Sequence, residues 1–383
     1  MNEAEKRDFE KRHSERLQKV RQKTAAVFGM EESTDPPFTV NSASYVLFGV
    51  PKEEIPADYY DNPAAMTVFQ EENCYTQMEV DDDFVPYLVP WFGTCVLSSG
   101  FGARIQFPLK EDPVSDSRYY PIKDRDDIKN LAVPDPERDG LMPKVLSFIR
   151  YMNDHSFLPV GITDCQGPLT TACQLIGYDK LFFLMYDDPP LAHMLMDKIS
   201  EALIRWVSRQ KEETGEAPDE CFGDQLVYTG ENIGVWMSDD DAVIISPALY
   251  REFVVPYNSK VLEAFGGGVV HYCGNASHQI DNLLETEGLR ALNVYCLHGI
   301  EGVHVLKKKI EGRIVLLLND YTPLDYEYYF TNLLDGLSRR GLVLFSQFSP
   351  IVCMTRDGRY ELTDRDYGEK KKIYKYVRGI LDG

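Results

Sequence analysis

The stretch Gly266-Gly267-Gly268-Val269-Val270-His271-Tyr272-Cys273-Gly274-Asn275 decides how this chain is read. The glycines stop a helix, residues 269–272 have strand character, and Gly274-Asn275 turn the chain. Downstream, the spacing predicts a helix over 279–287, a strand over 291–295, a helix over 303–309 and a strand over 313–318. A helix over 325–339, a strand over 342–345 and a last helix over 367–381 follow. Upstream, Ser246-Pro247 open a helix with a cap residue and a proline at its first position. Earlier units are a helix over 142–153, a strand over 158–163, a long helix over 189–214 and a strand-like segment over 220–228. That long helix carries Leu191, Met194, Leu195, Ile199, Leu203 and Trp206 at helical spacing. Strands alternating with helices imply a parallel sheet with crossover helices. Residues 314–318 are apolar throughout, as in a strand buried on both faces. With strand candidates near 87–95 and 103–107 the count approaches eight. The predicted class is α/β, a (β/α)8 TIM-type barrel with an N-terminal helical extension. An open doubly wound sheet is the alternative, weakened because no Gly-x-Gly-x-x-Gly follows a strand.

The 383 residues suit such a barrel with an extension. Residues 1–60 read as a helical arm and connection, and 61–383 as the barrel. Residues 3–23 hold eight Lys or Arg and five Asp or Glu but few apolar side chains, so an exposed helix is expected, able to dock a partner or a second copy as a homodimer. Residues 29–60 read as an irregular connection. No run approaches the ~20 apolar residues of a spanning helix. Forty basic against 61 acidic residues give a net charge of −21, which argues against nucleic acid and against an anionic membrane surface. The charged N-terminal stretch points to a cytoplasmic protein. Eight cysteines in such a chain are buried thiols, metal ligands or nucleophiles more often than disulfides.

In a barrel the strand ends at the C-terminal rim carry the site. They collect Asp164 with Gln166, Asp224 with Gln225, His271 with Cys273, Cys296 with His298, Asn319 with Asp320, and Gln347 ahead of Cys353. Asp164 and Asp224 are the candidate catalytic acids, with capping as the plainer reading. Gln166, Gln225, Asn293 and Gln347 are the candidate substrate-binding groups. His271 and Cys273 stand two apart at a strand end and point the same way, so both can ligate one borderline metal such as Zn²⁺. A third ligand is needed, and Cys353, eighty positions on, lies where a closed barrel gathers its loops. The plainer reading is a packed histidine beside a buried thiol. The run Asp239-Asp240-Asp241 reads as a solvated loop face, in one loop with Glu231.

The segments Gly167-Pro168-Leu169-Thr170-Thr171-Ala172, Gly177-Tyr178, Tyr186-Asp187-Asp188-Pro189, Ser246-Pro247, Phe253-Val254-Val255-Pro256 and His271-Tyr272-Cys273-Gly274-Asn275 resemble, in this order, the uroporphyrinogen decarboxylase superfamily over about residues 85–380. The resemblance implies a (β/α)8 barrel. True decarboxylases of that name are metal-free, with an arginine-rich N-terminal segment and a late Gly-His-Gly. Here residues 37–51 lack arginine and the late position reads Ser346-Gln347-Phe348-Ser349. The branch of zinc-dependent, corrinoid-linked methyltransferases is the closer match. It implies zinc on His271, Cys273 and Cys353, with Glu231 or Asp320 as candidate fourth ligands. It also implies methyl transfer between a corrinoid (cobalamin) and a small thiol or methylated compound. No Asp-x-His-x-x-Gly occurs, so the corrinoid is expected on a separate partner protein. A metal-free lyase of the decarboxylase type, its cationic support resting on few residues such as Arg104, is the alternative. A non-catalytic binding barrel is the third.

Overall fold

The computed structural model describes residues 3–32, 35–42, 45–224, 227–231, 233–295, 299–355 and 359–383. Among these, six strands pair in parallel in the order Phe38–Asn41, Leu342–Gln347, Val315–Tyr321, Leu289–Tyr295, Gly268–Tyr272, Val235–Ser238. Single parallel bridges extend the ring, Gln166 to Ser238 and Leu88 to Val160. Eight segments thus line one barrel, an α/β architecture of (β/α)8 type. Val315–Tyr321 is buried at every position, as expected of a strand covered by helices outside and barrel side chains inside.

Helix Pro189–Thr214 begins with the Asp188 side chain accepting from the Leu191 N–H and ends at Gly215 in the left-handed region. It buries Leu191, Leu195, Ile199, Leu203 and Trp206, while Met194, expected on the same face, is exposed. The helix after Ser246 breaks at Val254, just before Val255–Ala264 resumes with Pro256 in its first turn.

Four expectations are corrected. The segment over 29–60 is not merely a connection: Phe38–Asn41 joins the barrel beside Leu342–Gln347, so the barrel starts before residue 61. Helix Glu3–Phe28 is not an exposed arm, because Phe9, Val20 and Val27 are buried and Lys23 pairs with Asp35 and Asp83, both at 3.1 Å. Residues 220–228 do not form a barrel strand. Glu220–Asp224 pairs antiparallel with Val227–Glu231 as a hairpin, and the next barrel strand is Val235–Ser238. Gly223, at φ 130°, leaves no room for a Cβ, which would meet the Val227 carbonyl oxygen at 1.8 Å. Candidate strands over 87–95 and 103–107 shrink to the Leu88 bridge and the two-residue strand Ile105–Gln106.

Candidate metal centre and acid pair

The barrel register sets the site. Gln166 lies opposite Ser238, Ser238 opposite His271, and His271 opposite Asn293, one layer across neighbouring strands. His271 is buried, and its Nδ1 lies 2.6 Å from Asn293 Oδ1. Asn293 is oriented by its own Nδ2, which donates to the Leu317 carbonyl (2.9 Å) and to Asn319 Oδ1 (3.2 Å). Its oxygen therefore accepts, His271 carries its proton on Nδ1, and Nε2 keeps its lone pair. That lone pair faces Cys273 Sγ at 3.2 Å and Asp240 Oδ1 at 3.7 Å.

Asp240 is positioned by its neighbours. The Asp239 N–H donates to the His271 carbonyl at 2.7 Å, and the buried Asp239 carboxylate accepts from Tyr250 (2.6 Å) and Asn258 (3.1 Å). Burial pushes Asp239 up to about 7. The Asp241 N–H donates to Thr170 Oγ1 at 3.2 Å. With both flanking residues tied down, Asp240 Oδ1 accepts from the Cys273 N–H at 2.8 Å. The run is therefore not a solvated face.

Ligand atoms of Asp240, His271 and Cys273 all lie within 4.8 Å of one another. Cys273 alone is exposed among the described cysteines. Partial loss of water and then the Asp240 carboxylate raise its thiol pKa. Oxygen, nitrogen and sulfur donors suit Zn²⁺, and the separations compare with the ~3.3–3.6 Å between ligands of a tetrahedral ion. The three residues form a donor set that fits such an ion.

Cys353 is not in this set. It lies in Val352–Met354, paired antiparallel with Tyr360–Leu362, opposite Glu361, while Met354 stands opposite Tyr360. Side chains alternate, so Cys353 and Tyr360 take opposite faces of the hairpin. Tyr360 meets the Tyr321 ring at 5.3 Å, whereas the charges acting on Cys353 come from Arg365, Glu361 and Asp325. Glu231 is exposed at the base of the 220–231 hairpin. Asp320 accepts from the Tyr329 hydroxyl and is pushed up to about 8 by burial. Gln347 lies three strands from His271. Gln225, Cys296 and His298 lie outside the described residues.

Asp164 and Asp224 are near enough that the Asp224 carboxylate acts on the pKa of Asp164. Asp164 accepts from Gln166 Nε2 (2.6 Å) and Ser238 Oγ (3.2 Å), and Asp224 from the Tyr45 hydroxyl (2.5 Å). Burial, followed by the Asp224 charge, raises Asp164 far above the usual carboxylate range. Gln166 thus serves the acid pair, and Asn293 serves His271. Sequence reasoning missed Asp240, Ser238 and Tyr45. The signal for Asp240 was the run of three aspartates directly after the buried strand Val235–Ser238. Assigning that barrel position to residues 220–228 hid it.

A group of rings follows His271 on the neighbouring strands. Tyr295 meets His271 edge-on at 5.7 Å. Tyr321, Tyr360 and Phe48 meet one another at 5.3, 5.6 and 5.7 Å, steeply inclined. Burial and then the Cys273 thiol raise the phenol of Tyr295, while burial and then Tyr295 and Tyr360 raise that of Tyr321. Arg104 lies elsewhere, over the Tyr119 ring at 4.5 Å.

Residues 73–219 match the family model Uroporphyrinogen decarboxylase (URO-D). A uroporphyrinogen decarboxylase of Halalkalibacterium halodurans is 25% identical over 254 residues, covering 62% of this chain and 63% of that protein. One from Syntrophotalea carbinolica is 29% identical over 171 residues, covering 42% and 44%. The chain thus spans less than two thirds of the length of these relatives. A solved structure, a methyltransferase from Methanosarcina mazei, aligns with TM-score 0.65 and 17% identity over 95% of this chain and 98% of that one, a likeness of fold. Together these bear out the resemblance to the uroporphyrinogen decarboxylase superfamily and its barrel. No helix among the described residues is long and apolar enough to cross a membrane.

Proposed function

We propose that this chain, an enzyme of the uroporphyrinogen decarboxylase superfamily, is a metal-dependent methyltransferase whose metal is held by Asp240, His271 and Cys273. The observation that carries the reading is the convergence of those three ligand atoms within 4.8 Å, with His271 Nε2 freed by the Nδ1 bond to Asn293. A bound Zn²⁺ supplies Lewis acidity, holding a thiol as thiolate or polarising a methylated heteroatom. The chain's own residues do the rest. With a metal bound, Cys273 would be held as its thiolate; Asn293 fixes the imidazole, and Asp239 and Asp241 hold the loop that aims Asp240. The other methyl partner is a corrinoid presented by a separate protein. Asp240, not Cys353, is the third protein ligand.

The test is metal content of purified, zinc-replete protein, beside Asp240→Ala, Cys273→Ser and Cys353→Ser, with methyl transfer between a cobalamin and a thiol followed by absorbance. About one zinc per chain, lost in the first two variants and kept in the third, is the expected result. Loss in Cys353→Ser with retention in Asp240→Ala overturns the ligand assignment, and no zinc in the parent overturns the mechanism. The decarboxylase reading is favoured by the names of the relatives, but a polycarboxylate needs cationic anchors. The strongest charges acting on Asp164 and Cys273 are carboxylates.

A further inference from the structure

We propose that Tyr250 and Asn258 are positioning residues for the metal: through the Asp239 carboxylate, which both of them hold, they set Asp240 in place as its third ligand. This rests on the metal-dependent reading above and deepens it. His271 lies in strand Gly268–Tyr272 and Cys273 directly follows, so strand register places both. Asp240 opens the single turn Asp240–Val243, and no strand register fixes its side chain. A ligand on such a turn has to be held from outside it.

The residue before it is the point of attachment. Asp239, Tyr250 and Asn258 are all fully buried. The Tyr250 hydroxyl (2.6 Å) and the Asn258 amide (3.1 Å) donate to one and the same oxygen of Asp239, with the two donors 3.4 Å apart. The Asp239 N–H donates to the His271 carbonyl at 2.7 Å, and the Asp239 carbonyl accepts from the Ala242 N–H at 3.0 Å. Asp239 thus joins three parts: the helices through its carboxylate, the strand of His271 through its N–H, and the turn of Asp240 through its carbonyl. The Cys273 N–H then meets Asp240 at 2.8 Å, and His271 Nε2 lies 3.7 Å from the same carboxylate oxygen.

Tyr250 and Asn258 stand eight positions apart. A straight helix would set such residues ~12 Å apart along its axis and ~80° apart around it. The helix is broken midway between them, at Val254, where Pro256 has no N–H to give to the preceding turn. Past the break, the Tyr257 and Asn258 N–H groups both donate to the Val254 carbonyl, at 3.0 and 2.9 Å. The far side of the bend is fixed as well. His193, on helix Pro189–Thr214, stacks on the Phe253 ring at 4.5 Å, and the Tyr257 hydroxyl donates to the His193 carbonyl at 3.1 Å. The bend therefore brings two polar side chains onto one buried oxygen. A buried acid with two donors adds little strength over an apolar cluster of the same volume, so what it supplies here is position.

The experiment measures metal binding by the full chain. Zn²⁺ affinity is read by competition with a chromophoric chelator, and the ligand set by the absorption of bound Co²⁺. Tyr250→Phe, which removes one hydroxyl, should weaken Zn²⁺ binding by about 10–100-fold. It should alter the ligand-field bands of Co²⁺ and keep the thiolate-to-cobalt band of Cys273. Asn258→Ala should act in the same direction, and it carries the comparison if Tyr250→Phe does not fold. In an Asp240→Ala background the same substitution should cost no more than about a further twofold, because the ligand it positions is already gone. Unchanged affinity in both variants, or equal losses with and without Asp240, would overturn the proposal and leave the metal centre standing; equal losses would mean that the two side chains only support the fold. No metal on the parent, or Asp240→Ala binding Zn²⁺ as tightly as the parent, overturns the ligand assignment itself and this proposal with it.

Discussion

Asn293 acts at one remove from the proposed metal, and its effect can be separated from that of a ligand. It accepts from His271 Nδ1 and is itself held by the Leu317 carbonyl. Replacing it with alanine leaves the ligand atoms in place but frees the imidazole to rotate and change tautomer. Asn293→Ala should lower zinc affinity by about 10–100-fold, read by competition with a chromophoric chelator, while retaining one site per chain. Complete loss of the site, or unchanged affinity, would rule out the positioning role. At this scale much was legible in advance. His271 and Cys273 stand at a strand end two residues apart, and alternation alone puts them on one side. Asp240 was hidden because a run of three aspartates is usually solvated. Here hydrogen bonds from Tyr250 and Asn258 draw Asp239 inside, and Asp240 opens the short helical turn Asp240–Val243 with its carboxylate 3.7 Å from the imidazole.

Among the elements, helix Glu3–Phe28 departs most from its composition. Its charges suggest a solvated rod, yet Phe9 is 4% exposed and meets the Tyr75 ring edge-on at 5.2 Å. Phe9→Ala should therefore cost roughly 3 kcal/mol of unfolding free energy, measured by urea denaturation. A truly exposed arm would lose no more than about 0.5 kcal/mol, and that result would return the helix to its sequence-based reading. The hairpin Glu220–Asp224 with Val227–Glu231 was missed for a different reason. Its residues have strand character, and nothing local says whether a strand pairs in parallel with a barrel neighbour or folds back on itself. Gly223 at φ 130° favours the fold-back and carries Asp224 to Asp164.

Across the whole molecule, burial of acids sets the response to pH. Asp320 is pushed up to about 8, and Asp82, Asp239 and Glu216 to about 7, in each case chiefly by burial. A carboxyl group whose folded pKa lies above its unfolded value near 4 holds its proton longer in the native state. Its stabilising contribution is complete below about pH 4 and is lost as pH rises towards 7 or 8. The unfolding free energy of the parent should fall between pH 5 and pH 8, and Asp320→Asn should fall less steeply. Parallel slopes would show that Asp320 ionises as in the unfolded chain. The class of fold was readable from the residues alone, because the alternation of strands and helices and the all-apolar run over 314–318 fit a parallel sheet covered on both sides. So was the His271–Cys273 pair, which local periodicity dictates. The nearness of Asp240 to His271 and Cys273, that of Asp224 to Asp164 and the burial of the N-terminal helix emerge only in the folded chain. Those depend on which segments take neighbouring places round the barrel, and that is set by the packing of side chains far apart in the chain, which no local spacing records.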